Sequence, residues 1–327
     1  MQKKKKAVGL VSGGLDSAIA VSLVMEQEFE VTGVYVLTPF VSGFGEKTIL
    51  NIRQFSQSSG FDLKIIETGD DYIELIKHPR YGYGKNINPC IDCHIYMLKK
   101  AREVMEEKCA DFIFTGEVVG QRGKSQTMKA LKIVEKEASL SGKILRPLSA
   151  RLLNVTEAES KGLIDRNRLL AVKGKTRTAQ LAIAREKKLK YYHAPAGGCL
   201  LTERSFCKRL EDLIKHKPGA SRNDYLLLQL GRHFRISPAT KLIIPRNEEE
   251  NMKLPGLAGK DKFLMTSCKM PGMAALIDGK FNELAMEIFA SYISEESIEI
   301  CIKDSSSHVT ARKMQGKIKS EYSRYLL

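Results

Sequence analysis

Three cysteines, one aspartate and two glycine-containing turns carry the chemistry available to this chain. The stretch "NPCIDCHIYMLKKA" places Cys90 and Cys93 in a CxxC pair just ahead of a helical pattern. Such a pair directs two sulfurs at one metal or closes into a reversible disulfide, and a helix N-terminus is expected to acidify its thiols. Structural zinc takes four protein ligands, and no second CxxC is present in the sequence. His94 adjoins Cys93 and is read as a satisfied histidine pointing elsewhere. The third sulfur is Cys199 in "YYHAPAGGCLLT", where Gly197 and Gly198 remove side-chain bulk and let the loop approach a buried site. Three thiolates on an iron–sulfur cluster leave one iron without a protein ligand, open to an exogenous sulfur. Cys109, Cys207, Cys268 and Cys301 stand in apolar or helical sequence and are expected to be inert packed thiols.

The second constellation is "AVGLVSGGLDSAIAVSLVM", residues 7–25, an apolar run broken by Ser12-Gly13-Gly14-Leu15-Asp16-Ser17. It predicts a buried strand over Ala7 to Val11, a tight turn, and a helix that starts near Asp16 and packs on a sheet. A helix N-terminus leaves N–H groups unpaired and attracts anions. Glycines let a phosphate approach the backbone, and serine hydroxyls add donors. No Gly-Lys-Ser/Thr follows, so this is not a Walker A loop. Lys3 to Lys6 ahead of the apolar run imitate a signal peptide, yet an h-region would not hold Asp16 and Gly13-Gly14 at its centre.

These residues need a scaffold. Glu30 to Leu37, Asp62 to Glu67 and Asp111 to Thr115 read as strands, and Glu46 to Ser58 and His94 to Lys108 as helices. This alternation predicts an α/β fold, a doubly wound parallel sheet with helices on both faces. Ligands of such sheets sit beyond the carboxyl ends of the strands. Both SGGLDS and "TGEVVGQR", with Gly116 and Gln121, lie at such ends and are expected to meet over one ligand. "KHKPGASRND" reads as a linker. The predicted division is a first domain over 1–215, a linker at 216–224 and a smaller α+β domain over 225–327, with a helix near 281–291.

With 327 residues the chain suits two domains. No apolar stretch approaches membrane-spanning length. Seven cysteines without a signal peptide point to a reducing, cytoplasmic setting, where thiols serve metals or catalysis rather than structural bridges. The net charge of +15 is uneven: residues 151–220 hold 16 basic and 7 acidic side chains, a local balance of +9. With the arginines of "DRNRLLAVKGKTRTAQ", Arg177 among them, the segment suggests a polyanionic partner, nucleic acid.

SGGLDS after the first strand resembles the PP-loop of the N-type ATP pyrophosphatases. The resemblance implies that Ser12, Gly13, Gly14 and Ser17 cradle pyrophosphate and that Asp16 orients it through Mg²⁺. Together with "NPCIDCH", "TGEVVGQRGKSQT" and "GGC", the chain over about residues 7–205 is similar to the tRNA thiouridine synthases of the PP-loop superfamily. NPCxxC is closer to the MnmA type and "TGEVVGQRGKSQTMKAL" to the ThiI type. That family adenylates a uridine carbonyl with ATP, and sulfur then replaces the activated oxygen. Some members use a disulfide relay; others hold a 4Fe–4S cluster with a CxxC and one distant cysteine, the spacing found here. The implied partners are tRNA and a sulfur donor, hydrosulfide or a persulfide carrier. Neither a THUMP-like domain nor a rhodanese-like tail is recognised.

"GRHFRISPATKLIIPRNEEENMKL" and "KDSSSHVTARK" resemble the RNA-binding domain of the NFACT proteins, with Pro245 where a glycine is typical. This resemblance assigns Arg232, His233, Arg235, Arg246, Asn247, Ser307 and His308 to an RNA surface. Two other functions compete with tRNA thiolation. A PP-loop amide synthetase would need neither the three cysteines nor a basic centre. A non-catalytic RNA-binding protein with a vestigial nucleotide site would not need an intact SGGLDS.

Overall fold

The computed structural model describes residues 5–192, 199–259, 261–268, 273–293, 297–303, 309–315 and 318–327. The chain divides into two compact units, Met1–Cys199 and Leu200–Leu327.

In the first unit, strands β1 (Lys6–Leu10), β2 (Glu30–Leu37), β3 (Asp62–Glu67), β4 (Phe112–Thr115) and β5 (Ile144–Leu145) form one sheet in the order β3-β2-β1-β4-β5. Every pairing is parallel. Helices α1 (Leu15–Met25), α2 (Glu46–Ser59), α3 (Asp70–Lys77), α4 (Cys90–Glu107), α5 (Met128–Glu137), α6 (Glu157–Ser160) and α7 (Thr178–Glu186) run between and after the strands. The two-residue period of a strand divides the apolar side chains between the faces. Ala7, Val31, Tyr35, Phe112 and Phe114 pack on one side with Ile19 of α1 and Ala184 of α7. Val8, Val34, Val36 and Ile113 pack on the other with Leu98 of α4 and Val134 of α5. Both faces are covered, which a parallel sheet requires. The chain winds outward from β1 through β2 to β3 and then returns to β4 on the other side of β1. The carboxyl ends of β1 and β4 therefore flank a topological switch point, where such sheets open a crevice.

The second unit holds α8 (Arg204–His216), α9 (Arg222–Leu227), β6 (Arg232–Ser237), β7 (Thr240–Ile244), α10 (Glu248–Lys253), β8 (Lys262–Ser267), β9 (Ala274–Gly279), α11 (Glu283–Ala290), β10 (Ser297–Lys303) and β11 (Val309–Gln315). Its antiparallel sheet runs β11-β10-β8-β9-β7-β6, and Phe234, Leu242, Ile277 and Ile300 bury one face against Met286 and Phe289 of α11. The boundary falls earlier than the linker read at 216–224, since α8 belongs to this unit. Asp212 on α8 receives Arg235 through both Nε (2.9 Å) and Nη2 (2.7 Å), with Lys241 Nζ at 3.1 Å. A polar turn after a helix marks a chain reversal as readily as a domain border.

Two cysteine expectations are corrected here. Cys268 and Cys301 are not free packed thiols but a disulfide. The pairing of β10 with β8 sets Cys301 opposite Thr266 and brings the two cysteine Cα atoms to 5.4 Å, within bridging range. Cys109 is exposed, in a left-handed turn (φ 49°) that follows α4, whereas Cys207 is buried as expected.

Candidate active site

The turn after β1 is built around its serines. Ser17 Oγ donates to the Gly14 carbonyl (2.8 Å) and accepts from the Ser12 amide (3.3 Å). Gly13 takes a left-handed φ of +74°, and a Cβ there would come within 3.0 Å of Ile52. Gly14 caps α1 with no side-chain hydrogen bond, so the first turn of the helix meets its surroundings through backbone N–H groups. A crevice beside this turn is lined by Gly13, Gly14, Ser17, Ile52, Phe55 and Tyr192.

Gly116 fixes the second loop against the first. A Cβ at Gly116 would lie 2.5 Å from the Ser17 backbone nitrogen and 2.6 Å from the Asp16 carbonyl carbon. The end of β4 thus touches the first turn of α1 directly, and the two motifs converge as expected from their places at strand ends. Gly116→Ala should force this contact apart and destabilise the first unit by about 1–3 kcal/mol, as overpacking does. Gly123, with nothing within 4 Å of its added Cβ, is the control position. If the G116A and G123A proteins melt together with wild type, β4 and α1 are not in this contact.

Asp16 is the focus of the loops. Gln121 Nε2 donates to Asp16 Oδ2 (2.7 Å), and Gln180 Nε2 donates in turn to Gln121 Oε1 (3.1 Å). Arg177 Nη2 stands 3.8 Å from the same Asp16 oxygen. Asp16 Oδ1 is buried and has no hydrogen-bond partner. A buried carboxylate oxygen without a partner is costly unless a cation meets it, and its hard oxygen suits Mg²⁺. Arg177 was assigned from sequence to the nucleic-acid-binding segment; the structure puts it at this loop instead. Residues 173–174 explain why: Lys173 bridges Val119, and the Gly174 amide donates to the Val119 carbonyl (2.8 Å), drawing the start of α7 to the TGEVVGQR loop.

The CxxC opens α4. Cys90 Sγ donates to Asn88 Oδ1 (2.7 Å), and Cys93 Sγ lies 3.1 Å from the hydroxyl of the buried Tyr72. The thiols are not acidified, contrary to the expectation from the helix N-terminus. Burial pushes the Cys93 thiol up to about 12, against the Tyr72 hydrogen bond, and neighbouring Cys199 and Cys90 add to the rise. Burial likewise raises Cys90, opposed by Arg122 and Lys124. Desolvation outweighs the helix end because it acts on the whole thiolate charge. Cys199 is close enough to Cys93 and Tyr72 that its ionisation would raise both. Three soft sulfurs in one neighbourhood fit iron in kind. Among the described residues no three His, Cys, Asp or Glu side chains are already gathered into a metal cage. Gly197 and Gly198 lie outside the described residues.

A buried ionic network missed in the sequence ties the two sites together. His94 Nδ1 lies 2.9 Å from Glu117 Oε1, Arg146 Nε donates to Glu117 Oε2 (3.0 Å), and Arg146 Nη1 also pairs with Glu135. Burial would raise the Glu117 carboxyl, but Arg146 and His94 prevail and hold it at about 2. Glu117 directly follows Gly116, and His94 directly follows Cys93, so the network locks the CxxC turn to the TGEVVGQR loop. The reading of His94 as a satisfied residue agrees with this pairing. Glu117 lies inside the quoted loop motif, but its long-range partners, His94 on α4 and Arg146 just after β5, leave no local signal. Gln180 had one available sign, its i+3 spacing from Arg177.

Residues 2–152 match the family described as Thiamine biosynthesis protein (ThiI), and residues 231–325 match the NFACT protein RNA binding domain. The two family models thus match separate parts of the chain, each less than half of it. The chain is 30% identical over 152 residues to a "Probable tRNA sulfurtransferase" of Thermococcus kodakarensis, covering 44% of this chain and 36% of that protein. A tRNA-specific 2-thiouridylase MnmA of Clostridium acetobutylicum is 32% identical over 130 residues, 35% of each chain. The chain thus spans about a third of the length of these curated relatives. Among solved structures, the U34-tRNA thiolase NcsA of Methanococcus maripaludis with its 4Fe–4S cluster is 18% identical. It covers 68% of this chain and 70% of that one at a TM-score of 0.35, too loose a likeness to carry function.

In the second unit the residues that the resemblance assigns to an RNA surface separate. His233 is 1% exposed, with Nε2 2.7 Å from the Leu230 carbonyl, and Arg235 is committed to Asp212. Both sit on β6, which packs against the domain's own helices, so neither forms a free basic surface. Asn247 caps α10 by accepting from the Glu250 amide (2.9 Å), and Arg246 forks onto Glu250 while remaining half-exposed. Arg232 lies over the Tyr292 ring (5.4 Å). Ser307 and His308 lie outside the described residues. In the basic segment, Arg166 pairs with Glu159 (2.6 Å) and Arg168 donates to the Glu26 carbonyl (2.7 Å), so part of its positive charge serves the fold.

Proposed function

We propose that the chain is an ATP-dependent tRNA sulfurtransferase that converts a uridine carbonyl to a thiocarbonyl. The observation that carries this reading is the convergence of SGGLDS, Gly116 and Gln121 on Asp16, with the CxxC turn tied to the same loop through His94 and Glu117. The names of the matched relatives, a tRNA sulfurtransferase and a 2-thiouridylase, agree with it, as does the NFACT domain.

The chemistry takes two displacements. The uridine oxygen attacks the α-phosphorus of ATP, the α–β bridging P–O bond breaks, and pyrophosphate leaves. Sulfur then attacks the activated carbon, and the C–O bond breaks to release AMP. The turn from Ser12 to Ser17 offers backbone N–H groups and hydroxyls to the departing pyrophosphate. Asp16 Oδ1 would hold Mg²⁺, whose charge offsets that building on the phosphates. Gln121 occupies the other carboxylate oxygen and keeps Oδ1 turned to the ligand. Cys90, Cys93 and Cys199 would hold a 4Fe–4S cluster, which supplies an iron without a protein ligand to take up sulfur. Asn88 and Tyr72 orient two of the three thiols.

Anaerobic protein given tRNA transcript, ATP, Mg²⁺ and sulfide should yield thiouridine by mass analysis, with one AMP and one pyrophosphate per sulfur. Binding of tRNA should weaken by roughly 1,000-fold between about 50 and 200 mM salt if six or more phosphates are neutralised. Pyrophosphate release that ignores RNA would favour an amide synthetase. Tight tRNA binding without pyrophosphate release would favour a non-catalytic RNA-binding protein.

A further inference from the structure

The start of α7 brings two polar side chains to the Asp16 loop that the proposed mechanism does not use. Gln180 is fully buried, spends its amide nitrogen on Gln121, and leaves Oε1 with no partner. Arg177 caps the same helix, with Nε buried and unpartnered and its guanidinium 3.8 Å from Asp16 Oδ2, beyond hydrogen-bonding distance. Asp16 Oδ1 is the third orphan. Buried polar atoms left unpaired are costly, each by about 1–3 kcal/mol, and native interiors seldom keep three together.

The orphans differ in what they need. Arg177 has an N–H to give and wants an anion; Asp16 Oδ1 and Gln180 Oε1 accept and want a cation or a hydroxyl. A phosphate chain carrying its own divalent cation answers both needs at once. A bare anion would leave the two acceptors unmet, and a bare cation would leave the guanidinium unmet.

We propose that Arg177 is a phosphate ligand of the nucleotide site, presenting its planar fork to phosphate oxygens of ATP bound at Ser12 to Ser17. This assignment rests on the nucleotide reading above. A guanidinium suits the task because it cannot lose its charge and meets two oxygens together. It also gives the basic segment a second use: one of its arginines serves the nucleotide rather than RNA.

The test is equilibrium binding of MgATP and of tRNA, across a salt series, to the full-length wild-type, R177A and R177K proteins. R177A should bind MgATP at least 10-fold more weakly, with its tRNA affinity and salt slope unchanged. R177K, which keeps the charge and loses the fork, should fall between R177A and wild type and guards against a helix-cap artefact. Unchanged MgATP affinity in R177A overturns the assignment. So does a salt slope reduced by about 0.9 with ATP binding intact, the signature of one lost RNA phosphate contact. Should the wild-type chain bind no MgATP, the nucleotide reading itself fails, and the assignment with it.

Discussion

Asp16→Asn abolishes pyrophosphate release and leaves thermal unfolding unchanged: that is the expected result for the loop after β1. Asparagine keeps the shape and an oxygen for Gln121 Nε2, which now sits 2.7 Å from Asp16 Oδ2. What is lost is the negative charge facing the orphaned Oδ1 position. Charge stabilisation by a bound metal is worth several kcal/mol in such reactions, so the rate should fall by about 100-fold or more. Leu15 and Ser17 flank the position and are buried, and their packing does not involve the carboxylate charge. Full pyrophosphate release by the purified Asn protein would remove Asp16 from the mechanism.

The second large effect is expected at the sulfurs. Protein purified or reconstituted without oxygen should be brown and carry about four irons, the content of a cubane cluster. C90A, C93A and C199A should each lose colour and thiolation together. C109A and C207A should keep both, one residue being exposed beyond α4 and the other buried in α8. C268A and C301A should also keep both, although each removes the disulfide of the second unit. A disulfide relay predicts another pattern: colourless active protein in which Cys199 and one of Cys90 and Cys93 are essential. Stoichiometric zinc in active, iron-free protein would defeat cluster and relay alike. The raised pKa values of the half-buried thiols give the cluster version a further consequence: metal binding must release protons, so loading should improve as pH rises.

Much of the first unit was legible in the chain because its signals are local. Glu30 to Leu37 is a strand over the span expected, since an apolar, β-branched run bounded by turns has few alternatives. The turn at Ser12 to Ser17 was equally plain: glycine supplies a left-handed φ and serine a hydroxyl whatever lies elsewhere. Parallel alternation then fixed where two such turns must meet. Tertiary structure alone decided the charges. A lysine- and arginine-rich segment reads the same whether its side chains face solvent or bond to the fold, and Arg166, Arg168 and Arg177 all meet acceptors of their own unit. The same holds for Arg235, paired with Asp212, and for the buried His233. Thiol acidity depended on burial, with the charge of Cys199, more than a hundred residues away, adding to it, and not on the helix that Cys90 begins. The Cys268–Cys301 bridge arose from strand register. Backbone conformation responds mainly to neighbours along the chain, whereas the state of a charge or a thiol is set by whatever the fold brings within a few ångströms, and no local pattern encodes that.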